Sequence, residues 1–162
     1  MGQGRQRALG VALGILMGLS PEAVSEPAGQ YSTGVKARVV LKTTTTGSGE
    51  KIAYLKTGSP EVTAMTVDIP PGTETGWHVH RVPVYAWVVS GALTVELEGG
   101  SRNAYKEGDA IVEAVGVGHN GKNLGTVPVR LLVFYTGLEG EPNVERRPEP
   151  PPGRVPPAPP GR

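Results

Sequence analysis

Between about residue 31 and residue 138, no long stretch repeats its apolar side chains every 3.6 residues. Several segments show alternation or short apolar runs instead. The segment EVTAMTVDI (residues 61–69) reads as a clean strand and stops at Pro70-Pro71-Gly72, as a strand ended by a turn does. YAWVVSGALTVELEGG (85–100) reads as two strands with Ser90-Gly91 as the turn between them. SRNAYKEGDAIVEAV (101–115) gives a strand to Tyr105, a turn at Glu107-Gly108-Asp109 and a further strand. VPVRLLVFYTG (127–137) is a strongly apolar closing strand. Two weaker segments, VKARVVL (35–41) and KIAYLK (51–56), are also expected to be strands. Turn signals recur at roughly the 8–12-residue spacing of an antiparallel sandwich or barrel, so the fold class is all-β. In a barrel of this size, inward residues from several strands converge on a filled or ligand-sized interior.

The two ends break this pattern. Arg5 and Arg7 precede an apolar run from Ala8 to Leu19, and small residues lead to Ser25. A charged start, a short apolar middle and an Ala-x-Ser ending predict a secretory signal peptide over residues 1–25, and hence a periplasmic or secreted protein. The alternatives are a buried or amphipathic first helix, or a true start at Met17. The run falls short of the ~20 apolar residues a spanning helix needs, so no stable membrane span is expected. At the other end, nine of the sixteen prolines fall between Pro142 and Pro160. Proline lacks a backbone N–H and fixes φ, so residues 141–162 are expected to form an extended, disordered tail. That leaves residues 31–140 as the barrel domain.

Charge and composition then exclude several functions. The formal net charge is +1 in 162 residues, and lysine and arginine form no stripe. Neither nucleic acid nor an anionic membrane surface is an expected partner. There is no cysteine, which removes disulfides, thiolate zinc sites and cysteine nucleophiles.

The chemistry rests on three histidines. In a strand, residues i and i+2 face one side, so His78-Val79-His80 places two imidazoles together. Neutral imidazole nitrogens bind divalent ions, and two ligands from one strand can share one ion. Two surface histidines would show the same spacing, so this pair alone says little. The third histidine, His119, lies in VGVGHNGKN (115–123).

The frame around them is more specific. Gly72 is followed by five residues, His78-Val79-His80, three residues, Val84, six residues and Gly91. Gly108 is followed by five residues, Ala114, Val115, Gly116, two residues, His119, three residues and Asn123. This frame resembles the two sequence motifs of the cupin superfamily. All three histidines, four glycines and the asparagine match; Val84 stands where the family has glutamate, and Ala114 where it has proline. The resemblance spans roughly residues 63–135. It implies a double-stranded β-helix, or jelly-roll barrel, with a divalent metal (Fe, Mn, Ni, Cu or Zn) held by His78, His80 and His119.

Without the motif glutamate, three neutral imidazoles would leave the full charge of the ion and up to three positions free. Some cupin dioxygenases use three histidines on iron. Glu74 and Glu113 are the candidates for a fourth ligand or general base, although the expectation for each is a solvated side chain. Val84, Ala86, Val88 and Val133 are expected to line the cavity, with Tyr85 and Trp87 on the outer face. Two functions follow. One is an exported metal enzyme, dioxygenase-like or otherwise metal-assisted, acting on a small chelating molecule. The other is a non-catalytic module that binds or senses a metal or small ligand; a third, lesser reading is a metal-free structural barrel. Bare edge strands predict a homodimer.

Overall fold

The computed structural model describes residues 38–56 and 58–150. Apart from Arg38 these belong to one compact unit that begins at Val39. The region read as a signal peptide, residues 1–25, lies outside the described residues, as do residues 35–37 of the first weak strand and residues 151–162 of the tail. Among the described residues, no helix is long and apolar enough to cross a membrane.

The described chain forms nine strands: β1 (Pro60–Ile69), β2 (His78–Val79), β3 (Val84–Ser90), β4 (Ala92–Leu97), β5 (Arg102–Lys106), β6 (Ala110–Val112), β7 (His119–Lys122), β8 (Val129–Leu138) and β9 (Glu145–Arg146). They build two antiparallel sheets, ordered β1-β8-β3-β6 and β5-β4-β7-β2-β9. The fold is all-β, as the strand pattern predicted, and is the jelly roll that the motif resemblance implied. Ten cross-strand pairs, from Pro60↔Leu138 to Ile69↔Val129, join β1 to β8.

Period-two burial sets the core. Along β3, Val84, Ala86 and Val88 are buried while Tyr85 and Trp87 are half-buried on the other face. Along β8, Val129, Leu131, Val133 and Tyr135 face inward. These meet Ile69, Ile111 and, from the second sheet, Leu93.

Several local expectations fail for physical reasons. Ser90-Gly91 does not close a hairpin: β3 and β4 lie in different sheets, so the chain crosses between layers there. Gly91 permits the crossing, because its φ is +82° and a Cβ would lie 2.6 Å from the Pro128 carbonyl oxygen. β5 and β6, on either side of the 107–109 turn, also belong to different sheets. Residues 51–56 form only a single bridge, Thr45↔Lys51, and residues 38–41 form no strand. Tyr54, Leu55, Val40 and Leu41 stay exposed, so neither segment has an apolar face to bury.

The stretch read as a tail from residue 141 opens inside the second sheet. β9 pairs with β2 through His78↔Arg146 and Val79↔Glu145. Residues 143–147 contain no proline, and the Arg147 amide donates to the Trp77 carbonyl at 2.9 Å. Backbone donors are therefore available until Pro148.

Asn123, the motif asparagine, is a structural tie. It is buried; its amide nitrogen donates to the carbonyls of Ile69 (2.8 Å) and Val127 (2.9 Å), and its oxygen accepts from the Gly125 amide (3.0 Å). Asn123→Ala would strand these backbone groups. It is expected to destabilise the protein by about 1–3 kcal/mol, seen as a lower urea midpoint at unchanged slope.

Candidate metal centre

Sheet register brings the histidines together. His78 on β2 is directly opposite His119 on β7, so their side chains leave the same face as a cross-strand pair. His80, two residues after His78, faces the same way, and its backbone forms a bridge to Val115 with the Gly116 amide donating to the His80 carbonyl at 2.8 Å. The three ring centroids are 4.4 to 4.9 Å apart. His80 and His119 are buried and His78 is half-buried.

Glu113 completes the cluster from the other sheet. Its carboxylate oxygen lies 3.0 Å from Nε2 of His80 and 3.5 Å from Nε2 of His119. The ligand atoms of His78, His80, Glu113 and His119 all lie within 4.8 Å of one another. The expectation of a solvated glutamate at 113 is therefore corrected. The expectation holds for Glu74, which pairs with Lys122 at 3.5 Å, outside the cluster.

Strand register explains where the carboxylate comes from. Tyr85 pairs with Val112 and Ala86 with Ile111; the Glu113 amide then donates to the Val84 carbonyl at 2.9 Å. Position 113 is thus the cross-strand neighbour of position 84, where the motif glutamate is replaced by a fully buried valine. The acidic group sits one strand over and still faces the histidines. A signal for this existed in AIVEA: Ile111 faces inward, and Glu113 is two residues on. The same alternation from Val129 through Val133 points Tyr135 inward, a site residue the sequence reading did not single out.

Each imidazole is oriented from behind. Nδ1 of His78 faces the Gly76 carbonyl (2.8 Å), Nδ1 of His80 the Asn143 carbonyl (3.0 Å) and Nδ1 of His119 the Val117 carbonyl (2.9 Å). A carbonyl only accepts, so Nδ1 is the donor in all three rings. In the neutral rings, Nε2 is then a bare lone pair. Three such nitrogens and a carboxylate oxygen face one another. At 3.5 Å from Glu113, Nε2 of His119 is beyond hydrogen-bonding range and is buried without a hydrogen-bond partner. Mutually facing electron-pair donors repel unless a cation or proton lies among them. The donor set, imidazole nitrogens with one carboxylate and outer-shell carbonyls, fits a divalent transition metal.

Burial lowers His78 from its ordinary 6.5 to about 4, against a smaller opposing effect of the Gly76 carbonyl. Burial alone would raise Glu113; in metal-free protein, contacts with the His119 and His80 rings that require a proton on Nε2 outweigh it and hold the carboxyl at about 2, so there a proton takes the place of the cation. Burial, with the Glu113 charge, raises Tyr135 to about 12.

The cluster opens onto a cavity of about 540 Å³, counting its solvent-open mouth. Of the four residues expected to line it, only Val133 does; Val84, Ala86 and Val88 pack in the core instead.

Comparison with known proteins agrees with this architecture. Residues 65–135 match the family model for the cupin domain, which supports a cupin domain over that segment. No curated protein matches the chain. Among solved structures it is similar to the DMSP lyase DddQ from Ruegeria pomeroyi, at 21% identity over 56% of this chain and 44% of that one, with a TM-score of 0.47. It is similar to a Cupin 2 conserved barrel domain protein from Salinispora arenicola, at 17% identity over 47% and 63%, TM-score 0.44. It is also similar to a predicted oxalate decarboxylase from Thermotoga maritima, at 22% identity over 46% and 65%, TM-score 0.42. The chain thus spans under half the length of the lyase and a little under two thirds of the other two.

The sign of the pH dependence follows from the two shifted groups. In metal-free protein, His78 binds its proton more weakly folded than unfolded, so its contribution is constant above about 6.5 and stability falls as pH drops from 6.5 towards 4. Glu113, depressed from 4.5 to about 2, adds a further loss as pH drops from 4.5 towards 2. Urea midpoints of metal-free protein are expected to be lower at pH 5 than at pH 7.5. His78→Gln is expected to flatten that difference.

Proposed function

We propose that this protein binds a divalent transition-metal ion through His78, His80, His119 and Glu113, and acts as a metal-dependent enzyme on a small chelating molecule. The observation that carries the reading is the set of four lone-pair donors within 4.8 Å, with all three histidines turned inward by backbone carbonyls. A bound divalent ion would supply Lewis acidity and exchangeable positions for a chelating ligand. The residues do the rest: the carbonyls hold the rings, Glu113 offsets one unit of positive charge, and the apolar walls limit water around the ligand. The Tyr135 ring meets His80 edge-on at 5.6 Å, which places a phenol beside the centre. The same ring lines the cavity, where a phenol is able to donate to a bound ligand. Residues 1–25, as an export signal, would place the reaction outside the cytoplasm.

Zinc titration of metal-free protein against a competing chelator tests the assignment. Outer-shell changes typically cost about 10–100-fold in affinity, so His80→Ala and His119→Ala should each exceed about 100-fold. Glu113→Gln is expected to lose at least about tenfold, while Glu74→Gln stays within about twofold. If the two glutamine variants behave alike, the carboxylate at 113 is not a ligand. Full occupancy in His119→Ala would remove the site altogether.

A further inference from the structure

The cavity above the cluster has a charge character that constrains its ligand. Its walls are Ile69, Leu93, Val95, Ile111, Leu131 and Val133. Among the described residues that line it there is no lysine or arginine. Beyond the cluster itself, the polar side chains are Thr75 and Tyr135. Thr75 is engaged: its hydroxyl accepts from the Gly121 amide at 2.9 Å and donates to Asn120 Oδ1 at 3.3 Å. Tyr135 is not. It is 7% exposed, and its hydroxyl has no hydrogen-bond partner among the described residues. The residue as a whole is buried, but its hydroxyl is not among the buried unpaired atoms, so on the cavity wall it is open to a bound acceptor.

A divalent ion, three neutral imidazoles and one carboxylate sum to a single positive charge. One negative charge on a ligand neutralises that. A second would sit in an apolar cavity with no cation to meet it, which is strongly unfavourable. We infer that the site takes a small oxygen chelate that binds as a monoanion, with a compact apolar body against the aliphatic walls and an oxygen accepting from the Tyr135 hydroxyl. Doubly charged chelates of the same size are disfavoured. This rests on the metal reading above and adds to it the ligand's charge, its apolar body and the residue that fixes its orientation.

Acetylacetone and malonate test the inference, because they have the same number of non-hydrogen atoms and differ by methyl groups in place of charged oxygens. The probe is full-length protein loaded with cobalt(II), read by its visible absorption bands. Each half-saturation is divided by the chelator's affinity for aqueous cobalt in the same buffer. On that scale acetylacetone is expected to bind at least about tenfold more tightly than malonate. Tyr135→Phe is expected to weaken acetylacetone about five- to tenfold while cobalt affinity stays within about twofold. Cobalt bands that respond to malonate as strongly as to acetylacetone would overturn this inference and leave the metal centre standing. An unchanged acetylacetone affinity in Tyr135→Phe would remove the tyrosine's part in it. Protein that develops no cobalt band would overturn the metal reading, and this inference with it.

Discussion

Three backbone carbonyls govern the site. Gly76, Asn143 and Val117 each accept from an Nδ1–H, and so dictate which nitrogen of each imidazole faces inward. Without them each ring could flip or change tautomer, and the Nε2 lone pairs would not converge. Two carbonyls belong to the local chain, two residues before the histidine they hold. The third belongs to Asn143, sixty-three residues beyond His80. Docking β9 against β2 is what carries it there. The strand in the proline-rich stretch is therefore part of the site's support, and the last sheet pairing and the metal-facing geometry are one construction.

The second constraint is charge. A valine at position 84 suggests a site that has lost its carboxylate and become more strongly Lewis acidic. The register of β3 and β6 shows otherwise, since Glu113 extends the pairing opposite Val84 and its oxygen reaches His80. Moving the acid across one strand keeps its charge in the cluster. It also leaves position 84 free to pack as a fully buried aliphatic residue in the core. The cluster thus draws its bases from one sheet and its acid from the other, and the two layers share the task of holding it.

The sequence made some of this legible and hid the rest for identifiable reasons. Alternation located β3 and β8, because each buries one face and the pattern records that directly; β1 was read from its composition and the Pro70-Pro71-Gly72 stop, and only Ile69 of it is buried. The motif spacing placed His78, His80 and His119 together, because register and turn lengths fix those distances. What alternation does not record is which sheet a strand joins, so the crossing at Gly91 looked like a hairpin turn. Residues 51–56 looked like a strand by composition but found nothing to cover them. Glu113 was expected in solvent because glutamate usually is; its true position depends on a neighbour 29 residues away in sequence, Val84, with which only the folded sheet pairs it. Tyr135 was hidden inside an apolar strand whose period already placed it inward.

The central claim is that these carbonyls present three Nε2 atoms to a single ion. The most direct test is nuclear magnetic resonance of ¹⁵N-labelled protein loaded with ¹¹³Cd, which reports the bonded nitrogen by scalar coupling. The account requires one cadmium resonance coupled to Nε2 of His78, His80 and His119, with the proton of each ring on Nδ1. Coupling through Nδ1, or to fewer than these three rings, would contradict it.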